Sequence, residues 1–215
     1  MTLTDRFAAL PTAALSDALD ALGLPGALEG IGPLTDTARA AGPAFTVRYE
    51  PITDEPGTVG EFLDDVPAGA VVVIDNAGRT DCTVWGGILT TVAAANRVAG
   101  TVVYGVCRDV ATAFELDYPM FSAGRFMRTG KDRVRCVAVQ QPLRIGGVTI
   151  VPGDLITADA DGVVAVGAAH LESVVELAEH IEDTERRIVE AVRAGGTLAQ
   201  ARADLGYHAL QSKAR

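Results

Sequence analysis

Residues 70–116, "AVVVIDNAGRTDCTVWGGILTTVAAANRVAGTVVYGVCRDVATAFEL", decide the fold. The stretch opens on a β-branched run that Gly78 closes, which predicts a buried strand. "WGGILTTVAAANRVAG" predicts a helix that starts near Gly86 and Gly87 and stops at Gly100. "TVVYGV" predicts a second buried strand and "VATAFELD" a second helix. "MFSAG", residues 120–124, predicts a third strand. Strand and helix in strict alternation imply parallel strands joined by crossover helices, an α/β architecture.

On the N-terminal side, "TAALSDALDALG" places Leu15, Ala18, Leu19 and Leu22 at helical spacing, with Thr12 as cap and Gly23 as stop. "AGPAFTVRYEP" alternates like a strand that ends at Pro51, and "VGEFLDDVPAG" reads as a short helix with a turn at Pro67. On the C-terminal side, residues 134–167 predict strand after strand with glycine turns, a barrel-like section. A long amphipathic helix follows over 170–194, then a shorter one in "TLAQARADLG". The length makes one domain over 1–215 the default, with a helical extension over about 170–210. The apolar stripe of the long helix is expected to need a partner, which points to an oligomer.

A net charge of −10 argues against a nucleic-acid surface, and equally against an anionic membrane. No segment approaches the ~18 apolar residues that span a bilayer. The opening lacks the basic and apolar regions of a signal peptide. Cys82, Cys107 and Cys136 are few, scattered and odd in number, so they are expected to be reduced thiols in a cytoplasmic protein. His170, His180 and His208 show no metal spacing, and there is no Ser–His–Asp set.

The chemistry-bearing residues stand where strands end, which is where open α/β sheets bind ligands. At the first end, a loop leaves Asp75 and enters a helix at Gly86–Gly87. The free N–H groups of its first turn suit an anion, and glycine permits close approach; a simple tight turn is the plainer reading. At the second end stand Arg108 and Asp109. Arg holds carboxylates bidentately, and Asp is a hard ligand for Mg²⁺, which needs one or two carboxylates. The plainer reading is that Asp109 caps "VATAFEL". Trp85 is expected in the core. Arg79 and Asp81 are either an exposed turn or near the site. Lys131 is read as solvated, and Asp159 and Asp161 as turn residues.

"ALSDALDALGLPGAL", "AGPAFTV", "GRTDCTVWGGILTTVAAANRVAGTVVYGVCRDV", "TGKDRVR", "GGVTIVPGDLITADADGVVAV" and "ERRIVEAVRAGGTL" occur in this order. In this the chain resembles the family of class II 4-hydroxy-4-methyl-2-oxoglutarate aldolases and the regulator of ribonuclease activity A, formerly miscalled dimethylmenaquinone methyltransferases. The resemblance implies a phosphohistidine-domain-like β/β/α fold, assembled as homotrimers or hexamers with sites between subunits. It implies that Asp109 binds a divalent metal, Mg²⁺ or Mn²⁺, and that Arg108 holds a 2-oxo acid. The amides of Gly86, Gly87, Ile88 and Leu89 would cradle its carboxylate. Glu185 of a neighbouring subunit would reach the metal through water. The family's active aldolases carry an acid where this chain has Gly87.

The expected function is a metal-dependent lyase. Its reactions would be aldol cleavage of 4-hydroxy-2-oxo acids, decarboxylation of oxaloacetate, or both, through a pyruvate enolate and without a Schiff base. The alternatives are a non-catalytic regulatory binding protein and a related lyase for another substrate.

Overall fold

The computed structural model describes residues 1–53 and 59–210, with backbone alone at 208 and 209. The one-domain expectation over 1–215 runs past these limits. Helices α1 (Leu3–Ala9) and α2 (Thr12–Leu22) lead into the short β1 (Gly32–Pro33) and the long β2 (Ala40–Pro51). After a 3₁₀ turn at Glu61–Asp65 come β3 (Val71–Thr83), α3 (Gly87–Ala95), β4 (Gly100–Cys107), α4 (Val110–Glu115) and β5 (Met120–Arg125). Strands β6 (Val134–Val139), β7 (Leu143–Ile145), β8 (Val148–Ile150), β9 (Leu155–Ala158) and β10 (Val163–Val166) follow. Helices α5 (Leu171–Arg193), α6 (Leu198–Asp204) and α7 (Tyr207–Leu210) close the described chain.

The expected alternation is present: β2, β3, β4 and β5 lie side by side and parallel. Val71–Ile74, Val102 and Val103 are fully buried, as central parallel strands covered on both faces must be. β2 then bends the architecture. Its first residues, Ala40–Pro43, pair with β9, and Val47–Pro51 pair with β6, both antiparallel. The β-rich section therefore extends the same sheet into a nearly closed mixed one, while β7 and β8 form a separate hairpin.

Four local expectations are corrected. β3 does not stop at Gly78. Ala77 and Gly78 take left-handed φ of 54° and 64°, and the strand resumes to Thr83 in shifted register, as at a β-bulge. α3 ends at Ala95 rather than at Gly100, because Arg97 turns left-handed at φ 57°. Gly100 instead opens β4, where a Cβ would meet that of Ala40 at 2.7 Å. Thr12 is not the cap of α2, since the N-cap position is Pro11. The Thr12 N–H and hydroxyl donate to Asp159 at 2.9 and 2.5 Å, so the cap arrives from the turn after β9.

The fourth correction concerns what covers the first half of the α5 stripe, and it leaves the oligomer expectation where it stood. Its stripe of Val174, Val175, Ala178 and Ile181 is buried against Leu15, Ala18 and Leu19 of α2 and against β10. α2 carries its own apolar face, so the two helices cover each other within one chain. Arg6 of α1 ties this layer down through Glu172 and Glu179, both at 2.7 Å. All three cysteines are free thiols. No helix among the described residues is long and apolar enough to cross a membrane.

Candidate active site

β3 and β4 run parallel, so their carboxyl ends emerge together and place the starts of α3 and α4 side by side. Trp85 fixes the junction. It is buried, as expected, and its ring stacks on Tyr118 with centroids 6.5 Å apart. Its indole N–H donates to the Thr90 hydroxyl at 3.0 Å, and that hydroxyl donates to the Gly86 carbonyl. Burial pushes the Tyr118 hydroxyl well above its ordinary pKa, so it stays protonated beside Thr101. The Trp85 carbonyl accepts the N–H of Arg108 at 3.2 Å. One tryptophan thus locks the first turn of α3 to the last residue before Asp109.

Asp109 stands at the N-cap position of α4 but does not cap it. Its side chain makes no bond to its own helix, and its backbone is left-handed, φ 55° and ψ 38°. That conformation is uncommon for a residue with a Cβ. The carboxylate instead crosses to α3, where Oδ2 accepts the N–H of Gly87 at 2.9 Å. The Arg108 Nε lies 3.5 Å from the same oxygen. Oδ1 has no partner among the described residues, and the side chain is 49% exposed. The plainer reading of Asp109 as a cap for its own helix is therefore set aside.

Between these elements lies a cleft of about 270 Å³ that includes Gly86–Leu89, Arg108 and Asp109. Of the four amides expected to cradle an anion, that of Gly87 is spent on Asp109. The next two, of Ile88 and Leu89, donate to nothing among the described residues, as the first turn of a helix allows. The two glycines differ. A Cβ on Gly86 would lie 2.7 Å from Asp109 Oδ2, so only glycine lets the carboxylate approach. A Cβ on Gly87 would meet the Thr112 hydroxyl at 3.1 Å, a tight contact that a rotation relieves.

Other sequence candidates fall elsewhere. Arg79 and Asp81 bind each other at 3.0 and 2.9 Å and do not line the cleft. Lys131 is exposed. Asp161 donates its N–H to Asp159, the turn expected there. Glu185 sits on α5 and is not part of its own chain's cleft. Burial, with Glu182 and Asp17 nearby, raises its carboxyl above the usual range, against a smaller opposing pull from Arg202. Sequence reasoning missed Val59, Thr83 and Thr129, which line the cleft, and Thr112 beside it. A larger cavity of about 450 Å³, between α2 and the β7–β8 turn, is lined by Asp20, Glu29 and Tyr104 without a basic residue. That lining does not suit an anion.

Among the described residues no three His, Cys, Asp or Glu converge. A cation held by Asp109 would therefore rest on one protein carboxylate and on water. Mg²⁺ accepts that arrangement, whereas zinc normally requires three or four protein ligands. The free Oδ1 in an open cleft fits such an ion.

Comparison with known proteins places this geometry. Residues 12–165 match the RraA-like family model, Aldolase/RraA. Protein DlpA of Legionella pneumophila is 45% identical over 200 residues, 91% of this chain. This chain spans only 32% of DlpA. A putative 4-hydroxy-4-methyl-2-oxoglutarate aldolase of Halalkalibacterium halodurans is 34% identical, with 81% of this chain and 80% of that protein covered. The crystal structure of an uncharacterized Pseudomonas syringae protein superposes with a TM-score of 0.87 at 48% identity, covering 93% of this chain and 96% of that one. RraAS2 of Streptomyces coelicolor, described as an unusual member of the RNase ES inhibitor RraA family, gives 0.77 at 28% identity, covering 86% and 93%. The fold, the ordered motifs and these relatives agree, and the chain belongs to the RraA-like family.

Proposed function

We propose that the cleft breaks a carbon–carbon bond in a 2-oxo acid and releases pyruvate by way of its enolate, with Mg²⁺ or Mn²⁺ as cofactor. The observation that carries this reading is Asp109. Its carboxylate leaves its own helix, keeps one oxygen free, and stands with Arg108 over the first turn of α3. A bound divalent cation would act as a Lewis acid toward the ketone oxygen. Asp109 would hold the cation. The Ile88 and Leu89 amides, at the positive end of α3, would fix the substrate carboxylate and so its orientation. Arg108 would face the negative charge that develops on the ketone oxygen as the bond breaks.

Aldol cleavage of a 4-hydroxy-2-oxo acid and decarboxylation of oxaloacetate both leave their electrons on the same enolate. One site serves either reaction. The route proposed needs no Schiff base, and the described residues that line the cleft hold Arg108 and Asp109 as their charged groups. The aldolase name of the Halalkalibacterium relative supports the reaction class. Homotrimers or hexamers, with Glu185 of a neighbouring subunit approaching the cation through water, belong to the same proposal. The partly buried, like-charged setting of Glu185 would gain from a cation nearby.

A second reading, a regulatory binding protein, is favoured by Gly87, which removes the acid that the active aldolases carry. The likeness to RraAS2 points the same way. One assay separates the two. Purified protein is given oxaloacetate and 4-hydroxy-4-methyl-2-oxoglutarate with Mg²⁺, then with chelator, and pyruvate is measured. The lyase reading expects release that the chelator abolishes. No release from either acid at saturating Mg²⁺ or Mn²⁺ would overturn it in favour of the binding protein.

A further inference from the structure

The motif "TGKDRVR" has no part in the chemistry described above, yet the fold brings it to the cleft. Residues 126–133 form a strap between β5 and β6. Thr129 bridges Thr83 at the end of β3, and the Thr83 N–H donates to the Arg128 carbonyl at 3.0 Å. Gly130 explains how close the strap comes. A Cβ there would stand 2.5 Å from the Thr83 carbonyl oxygen and 2.9 Å from Val134, so backbone presses on backbone. Arg133 clamps the loop from outside through the carbonyls of Thr129 and Lys131. The strap is a fixed wall of the cleft.

Thr129 is the polar side chain on that wall. Its Oγ1 accepts the Lys131 N–H at 3.2 Å, and its own hydroxyl proton has no acceptor among the described residues. That proton is left to donate to a ligand, and Thr129 lines the cleft with Arg108 and Asp109. The charge around it has the matching sign. Within the strap itself Arg128, Lys131 and Arg133 stand against Asp132 alone, in a chain of net charge −10. A positive segment on an acidic protein attracts anions to its neighbourhood.

We infer that Thr129 is a substrate-binding residue whose hydroxyl takes the carboxylate at the far end of a 2-oxo dicarboxylate, with the basic strap supplying the field. This rests on the lyase reading of the cleft. The Ile88 and Leu89 amides hold the carboxylate next to the ketone, and Thr129 selects substrates by what lies beyond the bond that breaks.

The test uses two acids of equal length, 2-oxoglutarate and 2-oxopentanoate, which differ by the far carboxylate. Their binding is measured by calorimetry with Mg²⁺ present. Wild type should favour 2-oxoglutarate by about tenfold or more, the scale of a hydrogen bond to a charged group. Thr129→Val should lose about tenfold for 2-oxoglutarate alone, and Thr129→Ser should restore it. Lys131→Met should weaken 2-oxoglutarate by a smaller factor that fades with added salt. Equal binding of both acids by wild type overturns the inference and leaves the lyase reading standing. So does a Thr129→Val protein that loses both acids equally, which would mean that the residue only holds the strap. If wild type binds neither acid, the lyase reading falls with it.

Discussion

Two aspartates in this chain each hold the start of a helix that is not their own. Asp159, after β9, accepts the Thr12 N–H of α2, and Asp109, after β4, accepts the Gly87 N–H of α3. The likeness ends there. Asp159 is 4% exposed, and both its oxygens are engaged by the Thr12 N–H, the Thr12 hydroxyl and the Asp161 N–H. Burial works to raise its carboxyl, but these donors together hold it below the ordinary value. Asp109 spends one oxygen, keeps the other in an open cleft, and sits at a left-handed φ beside Arg108. A saturated carboxylate is a structural clamp. One held in a costly conformation with an oxygen to spare is placed for a ligand.

The comparison breaks most visibly at Asp109. Asp109→Ala should lower metal-dependent pyruvate release by about 10³-fold or more, since Lewis-acid stabilisation is worth several kcal/mol. Thermal unfolding should barely move, because the lost bond is exposed and the left-handed strain is relieved in part. Steady-state assay and calorimetric melting of one preparation check both halves.

Asp159→Ala should do the reverse. Three donors at a buried site lose their acceptor, at a cost of about 3 kcal/mol. The melting temperature should fall by about 6–12 °C, while activity per folded molecule stays unchanged. The pH dependence has a definite sign. The folded Asp159 carboxyl lies below its ordinary value of 3.8, so the unfolded chain binds the extra proton. Its stabilisation is complete above about pH 4 and is lost as pH falls through the lower folded value. Acid unfolding of Asp159→Asn should lack that component.

The glycines sharpen the comparison at smaller scale. Gly86→Ala forces a methyl to within 2.7 Å of Asp109 Oδ2. It should displace the carboxylate and reduce activity by about 10–100-fold, the scale of overpacking at 1–3 kcal/mol. Gly87→Asp supplies the acid that the resemblance to the aldolases implies at this position. The contact with Thr112 is relievable, so the added carboxylate should tighten Mg²⁺ by about tenfold, the lower end of effects from groups supporting a metal site. Calorimetric titration of Mg²⁺ reads the result, and weaker binding would mean that the glycine serves this chain's own ligand.

Much of the frame is legible in the sequence, because Val71–Ile74 and "TVVYGV" carry the β-branched signature of buried parallel strands. The bulge at Ala77–Gly78 is not, since a glycine after a strand reads equally as its end. Gly100 misleads for a related reason: it is needed for close approach to Ala40, not to stop a helix. The stripe on α5 is plain, but periodicity shows only that a face is covered and not that α2 covers it. In the cleft, Arg108, Asp109 and the two glycines stand out at strand ends. That Asp109 turns to α3 rather than to α4 depends on two strand ends meeting across 22 residues, which no local pattern encodes. Thr129 is silent for the same reason, because its role depends on where the strap lies.

The central claim is that the free oxygen of Asp109, and not that of a structural clamp, receives the cation. Mn²⁺ binding to wild type, Asp109→Asn and Asp159→Asn, followed by electron paramagnetic resonance at neutral pH, tests it directly. The account predicts binding by wild type and by Asp159→Asn, and none by Asp109→Asn at the same concentrations. Undiminished binding by a folded Asp109→Asn protein would contradict it.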